Sequence, residues 1–305
     1  MGLAGLTRVL VVNAGSETLK LSLVGDAEAQ AVDRFVDADA VGHRVVHGGE
    51  RFREPVLVDD DVVAAIEALV PLAPLHNAPA LRGLREARAA LPDVPHVAVF
   101  DTAFHATIPD EAAVYAVPQT WGIRRYGFHG IAVRWAAEQV PVPRLVVCHL
   151  GGGSSVTAVR DGRSVDTTMG FTPLEGVPMQ TRSGSVDPGA LLYVQRELGL
   201  SVDELEQALN RESGLAALGG LDSPLGFAVY VYRVAQAVAA MAAALDGVDA
   251  NAFSGGIGEN RADVRAAVRE RVAFLGLDEA RVRVVAARED VVIAREVGRL
   301  LGDPH

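Results

Sequence analysis

Lysine is almost absent from this chain: of 28 lysines and arginines, Lys20 alone is a lysine. It closes the segment Asn13-Ala14-Gly15-Ser16-Glu17-Thr18-Leu19-Lys20, directly behind the apolar run Val9 to Val12. A compact ammonium on a flexible stem can follow a moving phosphoryl group, whereas a planar guanidinium needs a fixed fork. Backbone N–H groups of a Gly/Ser/Thr turn can wrap an anion. The turn is not a Walker loop, because no G-x-x-x-x-G-K-[ST] string occurs. Cysteine is equally scarce, and the single Cys148 excludes an internal disulfide framework and suits a reducing cytoplasm. Lying in an apolar run, it is expected to be inert core. Aromatics reach only 5%, in keeping with an alanine- and valine-rich soluble enzyme and not a fibrous or disordered chain. Positive charge is in deficit, and a net charge of −11 argues against nucleic acid or an anionic membrane as partner. An anionic substrate would therefore need cations gathered in its site. No signal-peptide pattern opens the chain. The stretch Ala235 to Leu245, flanked by Arg233 and Asp246, is short enough to read as a buried helix instead of a membrane span.

What is present is a 305-residue chain, half of it apolar, which predicts a large core split between two domains. Strands are predicted at Arg8 to Val12, Leu21 to Val24, Val41 to Val46, Val97 to Phe100, Leu145 to His149, Ser155 to Val159 and Ala252 to Phe253. Helices are predicted over about Asp60 to Leu69, Asn77 to Leu91, Val202 to Asn210, Phe227 to Leu245 and Arg261 to Leu275. Ser201 with Glu204 forms a capping box for one of them. Mixed strands and helices predict an α/β fold. The run from Leu145 to Val159 repeats the plan of Val9 to Leu23: strand, Gly/Ser turn, strand. Two such hairpins imply two related domains with a cleft between them.

Five further segments carry chemistry-bearing residues. Gly42-His43-Arg44-Val45-Val46-His47-Gly48-Gly49 sets a guanidinium and two imidazoles beside a glycine turn, and its valines favour a strand over a helical zinc pair. Phe100-Asp101-Thr102-Ala103-Phe104-His105 ends a buried strand on a carboxylate. Arg124 to Gly130 holds His129 between glycines. Gly170 to Gly176 leads into Thr181-Arg182-Ser183-Gly184, and Gly255-Gly256-Ile257-Gly258-Glu259-Asn260 precedes a helix, where backbone N–H groups can meet a phosphate.

In this order, and together with Ala73 to Asn77, these strings resemble those of the acetate kinase family, a branch of the acetate and sugar kinase, Hsp70 and actin superfamily. The resemblance runs from Arg8 to Arg295. It implies two related α/β domains of the actin/ribonuclease-H-like kind with an interdomain active-site cleft: residues 1–104 plus 291–305 on the carboxylate side, and residues 105–290 binding nucleotide. It implies reversible, Mg2+-dependent transfer of the ATP γ-phosphoryl group to acetate or another short-chain carboxylate, giving an acyl phosphate and ADP. Phosphoryl transfer asks for in-line placement and charge neutralisation, with little covalent work from the protein. Residue by residue, the resemblance makes Arg44 the holder of the carboxylate. Asp101, His129 and Arg182 become the catalytic groups, and Asn13 and Glu289 the positions that hold Mg2+ directly or through water. Lys20, His149, Leu150, Gly151, Gly152, Gly153, Gly255, Gly256, Ile257, Gly258 and Glu259 map onto nucleotide-phosphate contacts. Val46, Leu75 and Phe128 are the apolar candidates for the acyl pocket. A cytoplasmic homodimer, formed through the second domain, is what the family would lead one to expect.

The chain also departs from the family pattern. It is shorter, and the stretch between Lys20 and Gly42 is compressed. Glu17 replaces a serine, and Gly152 stands where an asparagine is usual. The stretch that normally contacts the nucleoside is largely missing, because Glu212-Ser213-Gly214-Leu215 leads through Leu221-Asp222-Ser223 straight into a helix. Two alternatives therefore stay open beside ATP-dependent catalysis: pyrophosphate or polyphosphate as the donor, and a non-catalytic nucleotide- or phosphate-binding role.

Overall fold

The computed structural model describes residues 8–14, 19–25 and 28–302. The turn Gly15 to Thr18, with Glu17, lies outside the described residues. In chain order the strands are β1 (Val9–Ala14), β2 (Leu19–Gly25), β3 (Glu28–Val32), β4 (Ala40–Val45), β5 (Val56–Leu57), β6 (His96–Phe100), β7 (Arg144–Leu150), β8 (Ser154–Arg160), β9 (Arg163–Thr167), β10 (Ala250–Ser254) and β11 (Val282–Val284). The α-helices are α1 (Asp60–Ala68), α2 (Pro74–Ala90), α3 (Asp110–Ala113), α4 (Gly130–Gln139), α5 (Pro188–Glu197), α6 (Val202–Arg211), α7 (Gly214–Ala217), α8 (Pro224–Ala244), α9 (Gly255–Asn260), α10 (Ala262–Arg271) and α11 (Glu289–Gly302). They form two compact units: residues 1–106, 128–135 and 288–305 in the first, residues 107–127 and 136–287 in the second.

The first unit is built on a six-stranded sheet of order β3-β2-β1-β4-β6-β5. Its central strands β1, β4 and β6 run parallel, and β1 is buried almost throughout, which is why Val9 to Val12 reads as a continuous apolar run. Alternation sorts these side chains between two layers. Leu10 and Val12 join Val41 and Ala87 of α2, while Val9 and Val11 join Val97, Ile131, Val292, Ile293 and Val297. The second set explains why residues 128–135, expected with the nucleotide-binding domain, belong to the first unit: Ile131 shares that core. Gly42 lets α11 come close to β4, since a Cβ there would lie 2.6 Å from Cγ2 of Ile293 and 2.9 Å from Cγ2 of Val297.

The second unit holds a five-stranded sheet of order β11-β10-β7-β8-β9. Its β7–β8 hairpin with β10 parallel to β7 repeats the β1–β2 hairpin with β4 parallel to β1. Helix α8 packs on β7, β8 and β9. Among the described residues it is the one helix long and apolar enough to cross a membrane, and its Tyr230, Val231, Val234, Val238 and Met241 are buried in the core of this unit. Cys148 is fully buried, its thiol donating to Oδ1 of Asn251 at 3.4 Å, and burial pushes the thiol pKa up. The Ser201–Glu204 capping box forms at α6.

Candidate active site

Asn13 and Arg44 are register partners on the adjacent strands β1 and β4, and Lys20 on β2 partners Asn13 from the other side. The three thus form one row across the sheet at the carboxyl ends of its parallel strands, where open α/β sheets bind ligands. Asp101 follows β6 and Glu289 opens α11, so both carboxylates reach the same row. Arg44 donates from Nε to both oxygens of Asp101 at 3.2 and 3.1 Å and from Nη2 to Oδ2 at 2.6 Å. Its Nη1 donates to Oδ1 of Asn13 at 3.1 Å and lies 3.6 Å from Oε2 of Glu289. The amide of Asn13 donates to that same Glu289 oxygen at 2.9 Å.

Asp101 is fully buried. Burial pushes its carboxyl pKa up, and Glu289 adds to the rise, while the charge and hydrogen bonds of Arg44 and the N–H of Ile131 oppose it. Burial also opposes the charge of Arg44, but Asp101 and Glu289 outweigh it and hold the guanidinium above its ordinary value. Because a guanidinium keeps its proton in proteins, Arg44 remains a cation here.

His129 precedes α4 with φ +60, in the left-handed region that non-glycine residues seldom occupy. The N–H of Gly130 donates to the carbonyl of Asp101 at 3.1 Å, and a Cβ on Gly130 would lie 2.0 Å from that oxygen. The backbones carrying Asp101 and His129 are therefore tied together. Lys20 is exposed on β2.

In the second unit, Arg182 donates from Nη1 to the carbonyl of Pro173 at 2.6 Å and forms no ion pair among the described residues. Burial pushes its pKa down to about 10, which leaves it charged at neutral pH. His149 and Leu150 end β7, and Gly151 to Gly153 form the β7–β8 turn, closed by Gly151 N–H donating to the carbonyl of Gly153 at 2.8 Å. His149 Nδ1 lies 3.0 Å from the hydroxyl of Ser254, and Gly255, at φ +77, comes so close to the Leu150 backbone that a Cβ would lie 2.6 Å from its carbonyl oxygen. The two glycine segments are thus adjacent. Glu259 braces the glycine turn: its Oε1 accepts from the N–H of Gly255 at 2.9 Å and of Ala287 at 3.1 Å. Gly256, Ile257 and Gly258 follow in the short helix α9.

Residues 28–300 match the model of the acetokinase family. An acetate kinase of Synechococcus sp. (strain JA-2-3B'a(2-13)) is 46% identical over 321 residues, covering 90% of this chain and 79% of the relative. One from Deinococcus deserti is 51% identical over 279 residues, covering 82% and 70%. The chain belongs to the acetokinase family. Among solved structures, a propionate kinase from Francisella tularensis superposes with TM-score 0.85 at 32% identity, covering 95% of this chain and 98% of that one. The acetate kinase of Porphyromonas gingivalis gives 0.85 at 30% identity, covering 97% and 100%. This acetokinase therefore has the fold of those kinases and is an enzyme that phosphorylates a carboxyl acceptor.

Two sets of partners in this acetokinase were not legible in the sequence. Tyr115, Arg125 and Glu175 brace the segment that leads to Arg182. The Tyr115 hydroxyl donates to Oε2 of Glu175, Arg125 pairs with Oε1 at 3.0 Å, and Arg125 Nη1 donates to the carbonyls of Thr167, Thr168 and Met169 at 3.1 to 3.2 Å. The glycines around Glu175 drew attention to that segment, but its partners lie 50 and 60 residues away in sequence. His43 is the second case. It turns away from Arg44 toward His96, with Nε2 at 2.9 Å from His96 Nδ1, because neighbouring residues of a strand face opposite sides.

Proposed function

We propose that this acetokinase catalyses reversible, Mg2+-dependent transfer of the γ-phosphoryl group of ATP to acetate or another short-chain carboxylate. The observation that carries the reading is the Asn13–Arg44–Asp101–Glu289 cluster: one cation and two carboxylates converge with an amide at the carboxyl edge of a parallel sheet. Arg44, anchored by Asp101, presents a fixed guanidinium to the substrate carboxylate. A carboxylate nucleophile needs no base, so Asp101 acts by orienting Arg44. Arg182, charged, largely buried and without an acidic partner among the described residues, suits the equatorial oxygens of the transferring group, a role that His129 of the first unit is assigned as well. Lys20 and the two glycine segments take the phosphates. In the second unit Glu259 serves by holding the Gly255 turn. Val46 and Phe128, both buried, and half-buried Leu75 supply an apolar wall for a short acyl chain.

The donor set at Asn13 and Glu289 is all oxygen, which fits Mg2+, an ion that keeps several waters and shares its shell with substrate phosphates. When bound, it would neutralise phosphate charge. The decisive assay is acyl phosphate formation, trapped as hydroxamate, from acetate, Mg2+ and ATP. Arg182→Ala should lower kcat by at least about 100-fold, and a variant as active as wild type would remove Arg182 from the mechanism.

One observation favours pyrophosphate as an alternative donor. Ser223 caps α8 directly, accepting from the N–H of Gly226 at 2.9 Å, and Asp222 pairs with Arg261, so that short connection leaves little chain for nucleoside contacts. Equal rates with ATP and pyrophosphate would support it. A homodimer is supported by α5, which has no buried residue and exposes Leu192 and Tyr193.

A further inference from the structure

A non-glycine residue at positive φ persists only where its surroundings over-determine it. Besides His129, Asp161 and Asp246 have this conformation, but each is followed by a positive-φ glycine in a turn, where aspartate is tolerated. His129 instead stands between buried Phe128 and the first residue of α4. Its φ is set by the peptide plane before it, its ψ by the plane after it, and each plane is rigid. The plane before it contains the Phe128 carbonyl, which accepts from Nε2 of His105 at 2.9 Å. The plane after it contains the Gly130 N–H, which donates to the Asp101 carbonyl at 3.1 Å. Both planes are therefore clamped to one short turn, residues 101–105, itself closed by the His105 N–H donating to the Thr102 carbonyl at 3.1 Å.

The His105 ring is buried and packs edge-on against Phe104, with the ring centroids 5.8 Å apart. A carbonyl can only accept, so Nε2 must carry the proton. Burial also pushes the His105 pKa down to about 4, which keeps the ring neutral in the working range. Nothing in the proposed chemistry calls on this imidazole.

We propose that His105 is a positioning residue of the phosphoryl-transfer site: by holding the Phe128 carbonyl it fixes the left-handed backbone of His129 and aims that imidazole beside Asp101. The inference rests on the kinase reading above for the consequence in catalysis, but its structural content stands on the two clamps. Loss of the His105 donor frees the first plane, and His129 relaxes toward an ordinary helical conformation at the same turn.

The experiment compares His105→Gln with His105→Asn in the full chain. A glutamine amide reaches the position of Nε2, whereas an asparagine amide ends near Nδ1 and falls short of the carbonyl. Thermal melts establish that each variant is folded. In His105→Asn, kcat for acyl phosphate formation should fall about 100-fold, the scale of an ångström-sized misplacement of a catalytic group. KM values for acetate and ATP should stay within about twofold, because ground-state binding is untouched. His105→Gln should recover most of kcat. The second readout needs no activity: the imidazole resonances of His129, assigned by their loss in His129→Gln, should move in His105→Asn and stay in place in His105→Gln. A folded His105→Asn with wild-type kcat and an unmoved His129 signal overturns the proposal. So does a folded His105→Gln that behaves like the asparagine variant. Wild-type protein that forms no acyl phosphate from any carboxylate and donor would sink the kinase reading instead, and the resonance arm would then decide the clamp.

Discussion

Residues one apart on β4 meet opposite fates, because one side of the sheet carries the cluster of carboxylates and the other the face of α2. Arg44 is stabilised as a cation; His43 is held neutral. Burial, His96 and Arg88 push the His43 pKa down to about 3, and burial chiefly lowers that of His96. A histidine whose folded pKa is depressed leaves stability unchanged above its unfolded value of about 6.5. Below that value the unfolded chain takes up protons that the folded chain refuses, so stability falls as pH falls. The urea midpoint should therefore be flat near neutrality and drop between about pH 6.5 and 4. The slope should be shallower in His43→Gln, which keeps a hydrogen-bonding partner for His96. A midpoint unchanged down to pH 5 would show that His43 is solvated in the folded state.

At the scale of elements, the cluster depends on how closely α11 approaches β4, since Glu289 is the first residue of that helix. Gly42 sets the distance. In Gly42→Ala the new methyl would meet Ile293 and Val297 at less than 3.0 Å, and overpacking of this kind costs about 1–3 kcal/mol. We expect a lower urea midpoint together with weaker Mg2+ activation, since Glu289 moves away from Asn13. Full retention of both would mean that α11 shifts without effect on the site. Several elements were hard to read for physical reasons. Strand β3 lies on the sheet edge with no fully buried residue, so it lacks the apolar alternation that marks a half-buried strand. Helix α4 starts from a left-handed histidine instead of a capping serine or aspartate. The helix α11, by contrast, buries Val291 to Ala294 continuously, a run that also suits a strand.

For the whole molecule, exposed apolar side chains are informative when they gather on one element. Leu192 and Tyr193 on α5, with Leu198 and Val202 just beyond, are 49 to 69% exposed. Sedimentation should show a dimer that Tyr193→Glu weakens, and a wild-type monomer at micromolar concentration would reject the assignment. The composition and the motif strings determined a great deal without any coordinates. They specified an α/β chain of two hairpin-led units, its family and the buried cysteine, because strand periodicity and glycine turns are local properties of a chain. Only the tertiary structure decided that Arg44 is bound by Asp101, Asn13 and Glu289 and that His105 bonds the carbonyl before His129. Those contacts join residues 23, 31 and 57 positions apart in the His105–Phe128, Arg44–Asn13 and Arg44–Asp101 pairs, and such pairings follow from the packing of β1, β4, β6, α4 and α11 in three dimensions, which no local pattern encodes.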